Sequence, residues 1–164
     1  MERLGALDSL HYSEISSLPL PLAEDWLEVD IAASGVNFKD VAITMGIVAG
    51  DEHSLGGEGA GIVTRVGANV HSFRPGDRVV VMFPGTLANK VQVPYHCAHL
   101  IADSMSFEEA ASLPIAYLTS LHALFDLANL KKGQRVLIHS ATGGVGNAAV
   151  QLCQYMDAEV FLPL

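Results

Sequence analysis

The sequence predicts a mixed α/β chain in two parts. A β-rich, barrel-like domain occupies residues 1–104, and a helical link with the first strand–turn–helix–strand unit of a doubly wound domain occupies residues 105–164. Three observations predict it. Short β-branched runs alternate with Gly and Pro turns up to about residue 100. The composition turns helical near Ser104. From Arg135 a β-branched run, a cluster of small residues, an amphipathic segment and a second β-branched run follow one another.

Taken in order, a first strand-like piece lies around Leu10, His11 and Tyr12. The next, over residues 26–31, sets apolar Leu27, Val29 and Ile31 against acidic Glu28 and Asp30, the pattern of a half-buried strand. Pro19 and Pro21 mark a loop between them. A short helix is expected over residues 41–45. Residues 47–65 are Gly-rich and run into a strand, and so many glycines predict bulges and close backbone contacts. A phosphate loop is disfavoured there, because no Lys-Ser/Thr ends it and no helix follows. Residues 63–81 read as strand, turn and strand, with turn chemistry at Gly67-Ala68-Asn69 and Pro75-Gly76-Asp77. Residues 88–93 alternate into Pro94. Residues 110–130 form an apolar run of transmembrane length, but Pro114, His122 and Asp126 interrupt it. Asp and His are costly in lipid, so buried helices of a globular domain are expected.

Composition narrows the function classes. The net charge is −9 with only nine Lys and Arg, which leaves no basic patch for nucleic acid or an anionic membrane. Cys97 and Cys153 cannot build a disulfide framework, so a reducing, cytoplasmic compartment is expected. Glu2 and Asp8 sit in an N-terminus without an apolar segment, so no signal peptide is expected.

The last part carries the chemistry. Residues 136–139 read as a buried strand, and apolar Ala149, Val150, Leu152 and Cys153 mark a helical face after it. Between them Ala141-x-Gly143-x-x-Gly146 is a variant of the phosphate-binding turn. Gly143 lets backbone approach a pyrophosphate and Gly146 lets the helix pack close to the strand. The helix N-terminus then offers free N–H groups and partial positive charge. The alternative is a tight turn without a ligand. A strand before it and a helix after it favour the dinucleotide.

Several stretches together carry a family resemblance. They are Gly35-Val36-Asn37-Phe38-Lys39-Asp40-Val41, Leu55-Gly56-Gly57-Glu58-Gly59-Ala60-Gly61, Pro75-Gly76-Asp77-Arg78-Val79, Leu113-Pro114-Ile115-Ala116-Tyr117-Leu118-Thr119 and His139-Ser140-Ala141-Thr142-Gly143-Gly144-Val145-Gly146. In this order they resemble the enoyl reductase domain of fungal highly reducing polyketide synthases, within the medium-chain dehydrogenase/reductase superfamily. The resemblance implies a GroES-like barrel-type domain followed by the first βαβ unit of a Rossmann domain. It also implies an NADPH-dependent reduction of the α,β-double bond of an acyl thioester on an acyl carrier protein. Hydride adds at the β-carbon and a proton at the α-carbon; the protein orients the reactants, stabilises the oxyanion and excludes water.

The resemblance also assigns residues. Ala141, Thr142, Gly143, Gly144, Val145 and Gly146 form the cofactor turn. Asn37 falls near the nicotinamide ribose, or is simply a turn residue. Thr119 is similar to a cofactor-contacting hydroxyl, or bonds to its own helix. Lys39 and Asp40 are either an acid and its partner or an ion pair fixing the loop. Glu58 and Asp77 read as structural. Val48 stands where some similar reductases carry a proton-donating Tyr. No metal is expected. Zinc-dependent members place Cys near position 35 and His before Glu58, where this chain has Ser34, Gly35 and Gly57. His96, Cys97 and His99 are too close along one strand to face a single ion.

The chain ends at Leu164, as the second strand of the nucleotide unit ends, and the resembling enzymes continue for about as long again. The expectation is therefore weak or no activity in isolation, with a complementing polyketide synthase polypeptide or a homo-oligomer as partner. A zinc-free quinone or enone reductase, and a non-catalytic remnant or interaction module, stand as alternatives.

Overall fold

The computed structural model describes residues 3–14, 21–49 and 54–163. Pro19 of the first loop and residues 50–53 of the Gly-rich stretch lie outside them. The chain packs as two units, Met1–Ser112 and Leu113–Leu164. The helical composition that begins near Ser104 starts ahead of that division, because the first helix after it packs on the β unit.

The first unit contains β1 (Trp26–Gly35), α1 (Phe38–Thr44), β2 (Glu58–Val66), β3 (Arg78–Val81), β4 (Lys90–Pro94), β5 (Ala98–Leu100) and α2 (Phe107–Ala111). The strands form an antiparallel sheet in the order β4-β1-β2-β3-β5. Among the described residues this sheet is open, with β4 and β5 at its edges. The β1–β2 register slips between Glu28 and Val29 and again between Ile31 and Ala33. Glycine is required in the partner strand: a Cβ on Gly61 would sit 2.8 Å from the Asp30 carbonyl carbon.

Leu27 and Val29 of β1 meet Val63, Val79, Val81, Val91 and Val93 in the main core. Each buried Val or Leu side chain is worth about 1.5–3 kcal/mol. A second cluster seats Ala110 and Ala111 of α2 on Ala60. α2 starts with a capping box, in which Glu109 N–H donates to Ser106 Oγ and Ser106 N–H donates to Glu109 Oε2. Arg78 fastens the approach to this helix. Its guanidinium donates to the carbonyls of Ala102, Asp103 and Met105, and lies 4.5 Å from the centre of the Phe107 ring.

Among the differences from the sequence reading, three concern the elements of the first unit. Leu10, His11 and Tyr12 form no strand; they follow a 3₁₀ turn, Leu7–Ser9, and Leu10 and Tyr12 are exposed without a neighbouring strand. The helix expected over residues 41–45 begins at Phe38, because the Asp40 carboxylate accepts the Asn37 N–H and starts it there. Glu28 is not on an open face: it is 6% exposed.

The second unit holds α3 (Pro114–Leu121), a π-helical turn (His122–Leu127), β6 (Arg135–Leu137), α4 (Gly144–Tyr155) and β7 (Glu159–Phe161). β6 and β7 pair in parallel. Leu130, Ile138 and Cys153 are its buried core, ringed by Val136, Val150 and Val160. The apolar run 110–130 is thus divided among short helices. Among the described residues no helix is long and apolar enough to cross a membrane.

Glu28 ties three strands together. Its carboxylate accepts from Thr64 at 3.0 Å, Lys90 at 3.0 Å and Gln92 at 3.1 Å, and Arg65 stands 3.3 Å away. Burial pushes the Glu28 pKa up, but the hydrogen bonds from Gln92, Lys90 and Thr64 outweigh it and hold the carboxyl below its ordinary value of 4.5. A carboxyl depressed on folding adds stability above its unfolded pKa and loses it as pH falls through the folded one. Glu28→Gln is therefore expected to cost about 1–3 kcal/mol at pH 7. In urea titrations the gap between variant and parent should narrow as pH drops below 4.5. A gap that persists at acid pH would remove the ionic contribution.

Candidate functional site

The second unit builds its candidate site where β6 passes into α4. Ser140 adopts a left-handed backbone, φ 53°, and turns the chain. Ala141 packs into the apolar cluster beneath. Gly143 is the N-cap of α4, and its N–H donates to Ser140 O at 3.0 Å. Gly146 is the point of closest approach. A Cβ there would run into the Ser140 carbonyl oxygen and lie 2.8 Å from Ala141 Cα. The helix is thus pressed onto the turn, and not directly onto the strand as the spacing suggests.

Gly143 is different. Its φ is −78°, which any residue adopts, and a Cβ would meet only Ser140 O at 3.4 Å. Neither conformation nor protein packing requires glycine at this position. Next to it lies the open start of α4. The first helical N–H to find a backbone acceptor is that of Asn147, which donates to Gly143 O at 2.8 Å. Among the described residues those of Gly144, Val145 and Gly146 have none. Three open amides at the positive end of a helix, beside a glycine without a close neighbour, form a cradle that an anion such as a pyrophosphate fits.

α3 holds this helix start from the side. Ser120 is buried, and its hydroxyl lies 2.9 Å from Ala116 O and 3.0 Å from Val145 O. The sequence reading singled out Thr119 and missed Ser120; Thr119 is exposed. Ala116 lines the approach to Gly144, at 3.9 Å from where its Cβ would be. Tyr117 donates to Gln151 Oε1 at 2.8 Å, and Gln151 Nε2 donates to Asn147 Oδ1 at 2.6 Å. Thr142 and Val145 are exposed.

In the first unit Asn37, Asp40 and Glu58 form a tight cluster. Asp40 is 8% exposed and both its oxygens are engaged: Oδ2 by Asn37 N–H and Oδ1 by Gly56 N–H, each at 2.8 Å. Asn37 Nδ2 donates to Glu58 Oε1 at 2.8 Å. Gly35 pairs with Glu58 across β1 and β2, and a Cβ on it would stand 2.6 Å from Glu58 Cγ and 2.8 Å from Ala111 O. Gly56 needs its positive φ of 90° to bring its amide to Asp40. Lys39 is exposed and makes no ion pair with Asp40. Val48 is 45% exposed, with its N–H bonded to Ala42 O at 3.3 Å.

His96, Cys97 and His99 do not share one strand. Pro94 ends β4, Tyr95–Cys97 is a 3₁₀ turn, and His99 lies in β5 with Nδ1 at 2.7 Å from Leu100 O. Among the described residues no three His, Cys, Asp or Glu side chains converge on a point.

Comparison with known proteins places these features. Residues 23–113 match the alcohol dehydrogenase GroES-like domain family. The chain is 59% identical to a highly reducing polyketide synthase of Arthrinium phaeospermum, over 98% of this chain and 7% of that protein. It is 33% identical to the CurK enoyl reductase, whose crystal structure superposes with a TM-score of 0.93 over 99% of this chain and 52% of that one. Escherichia coli quinone oxidoreductase, solved in complex with NADPH, is 31% identical with a TM-score of 0.79, over 90% of this chain and 47% of that one. The chain spans about half the length of these reductases and a small fraction of the synthase. It belongs to the alcohol dehydrogenase GroES-like domain family, in the medium-chain dehydrogenase/reductase superfamily, and resembles the enoyl reductase region of fungal polyketide synthases.

Proposed function

We propose that the chain is part of an enoyl reductase of polyketide biosynthesis that binds NADPH and reduces the α,β-double bond of an acyl thioester held on a carrier protein. The observation that supports it most is the start of α4, where three unpaired amides and an unconstrained Gly143 offer a pyrophosphate site. Bound there, NADPH would supply a hydride. Thr142, Gly143, Gly144, Val145 and Gly146 hold the anion, and Ala141 and Ser120 keep the turn and helix in place. Asn37, bonded to Glu58, is assigned to the nicotinamide ribose. Thr119 is assigned to the cofactor as a contacting hydroxyl. Asp40 is assigned to the loop, since both its oxygens are taken. Lys39 is the catalytic candidate whose ammonium is open to solvent or ligand. The free thiols of Cys97 and Cys153 fit a reducing, cytoplasmic setting.

The likeness to a quinone oxidoreductase supports a second reading, a zinc-free quinone or enone reductase. In the native protein carrying this chain, turnover of a carrier-bound enoyl thioester against a small quinone separates the two.

Two glycine variants test the turn. Gly146→Val should abolish NADPH binding, because its side chain would displace α4 from Ser140. Gly143→Ala should leave the melting temperature within about 2 °C of the parent, since its Cβ meets an ordinary contact, yet weaken binding by roughly tenfold. Fluorescence titration with NADPH reads both, and parental affinity in both variants would remove the phosphate role.

Val48 bears on stereochemistry. Valine carries no transferable proton, so the α-proton comes from another group or from water. With an α-methyl enoyl thioester, the product should have the configuration made by Val-type reductases of this kind. The configuration made by Tyr-type reductases would contradict the assignment.

A further inference from the structure

α1 ends in a turn that fixes the residues after it. Gly46 takes a left-handed backbone, φ 70°, and its N–H donates to Ile43 O at 2.9 Å. The Ile47 N–H donates to Ala42 O at 2.8 Å, and the Val48 N–H reaches the same carbonyl at 3.3 Å. The end of α1 thus sets where Val48 stands. A second segment bears on this turn. Residues 3–9 fold back on themselves: Ser9 Oγ accepts the Arg3 N–H at 3.2 Å and donates to Ala6 O at 2.7 Å. Gly5, at φ 85°, brings its N–H to Thr44 O at 2.8 Å. Leu4 then lies over Gly46. A Cβ on Gly46 would stand 3.1 Å from Leu4 Cδ2 and 3.3 Å from Leu4 Cγ, so the leucine takes up the space beside the turn. Leu4 is still 58% exposed, so the contact adds little to the core; it bounds the turn on one side.

We propose that Leu4 is a positioning residue for substrate selection: by bearing on Gly46 it sets the position of Val48, and through it the room left beside the α-carbon. It thereby governs how readily an α-methyl enoyl thioester is accepted over an unbranched one. The proposal rests on the reading that Val48 faces the α-carbon and extends that reading to the segment supporting it. A purely structural tie between residues 3–9 and α1 is the competing explanation. A ratio of rates separates the two, because a loss of folded enzyme lowers both rates equally and cancels.

The test uses the native protein that carries this chain. On one preparation, kcat/KM is measured for an α-methyl enoyl thioester and for its unmethylated counterpart. Val48→Ala makes room directly and should raise the ratio in favour of the methylated substrate by about tenfold. Leu4→Ala lets the turn shift and should change the same ratio by about threefold. Leu4→Met keeps the volume and should bring the ratio back to within about 1.5-fold of the parent. If Val48→Ala moves the ratio and Leu4→Ala leaves it at the parental value, the proposal is overturned while Val48 keeps its role. A Leu4→Met ratio as far from the parent as that of Leu4→Ala would also overturn it. If Val48→Ala itself leaves the ratio unchanged, the reading of Val48 and the proposal fall together.

Discussion

The contact between Gly146 and the Ser140 carbonyl is the constraint on which the second unit depends. Only a residue without Cβ lets α4 start so close to the turn leaving β6. That closeness sets the helix end and leaves the amides of Gly144 to Gly146 on its open side. Ser120 secures the arrangement from α3, by hydrogen bonding to the carbonyl of Val145 in the same first turn. Glycine in a helix costs about 1 kcal/mol relative to alanine, and α4 carries two of them within its opening turn. Packing explains Gly146. It does not explain Gly143 or Gly144, whose missing side chains face no close protein neighbour. The proposed anion site would account for glycine at these two positions.

The first unit is governed by buried carboxylates. Glu28 joins β1 to β2 and β4 through Thr64, Lys90 and Gln92, and Glu58 joins the end of β1 to Asn37 through the space left by Gly35. Asp40 then draws the Gly56 amide to the start of α1. Unpaired, each charge would be strongly unfavourable in the interior; satisfied, each fixes the geometry of its neighbours. The loop containing Asn37, Lys39 and Asp40 is therefore shaped from within, and only Lys39 of the three is on the outside.

Local patterns carried much of this. The alternation of Leu27, Val29 and Ile31, the Gly-Pro turns and the small-residue cluster before α4 each depend on neighbours in sequence, and each was readable. What was not readable depends on distant partners. Glu28 follows the outward phase of its strand, and its burial requires Lys90 and Gln92 from another strand. Arg78 looks like one more residue of a β run until the carbonyls of Ala102, Asp103 and Met105 close around it. Leu10 to Tyr12 has strand-like residues but no strand beside it. Thr119 and Ser120 are adjacent hydroxyls on one helix, and only the packing of α3 against α4 shows that Ser120 is the one turned inward. The candidate site follows the same division: its glycines were legible from spacing, whereas the relay from Tyr117 to Asn147 depends on side chains brought together by two helices.

The most direct measurement is nuclear magnetic resonance of the backbone amides in the native protein, isotopically labelled at glycine and valine, as NADPH is added. The amides of Gly144, Val145 and Gly146 should shift together and exchange more slowly with solvent, because an anion now accepts their hydrogen bonds. Saturable NADPH binding that leaves these three amides unshifted and unprotected would contradict the assignment of the α4 start as the pyrophosphate site.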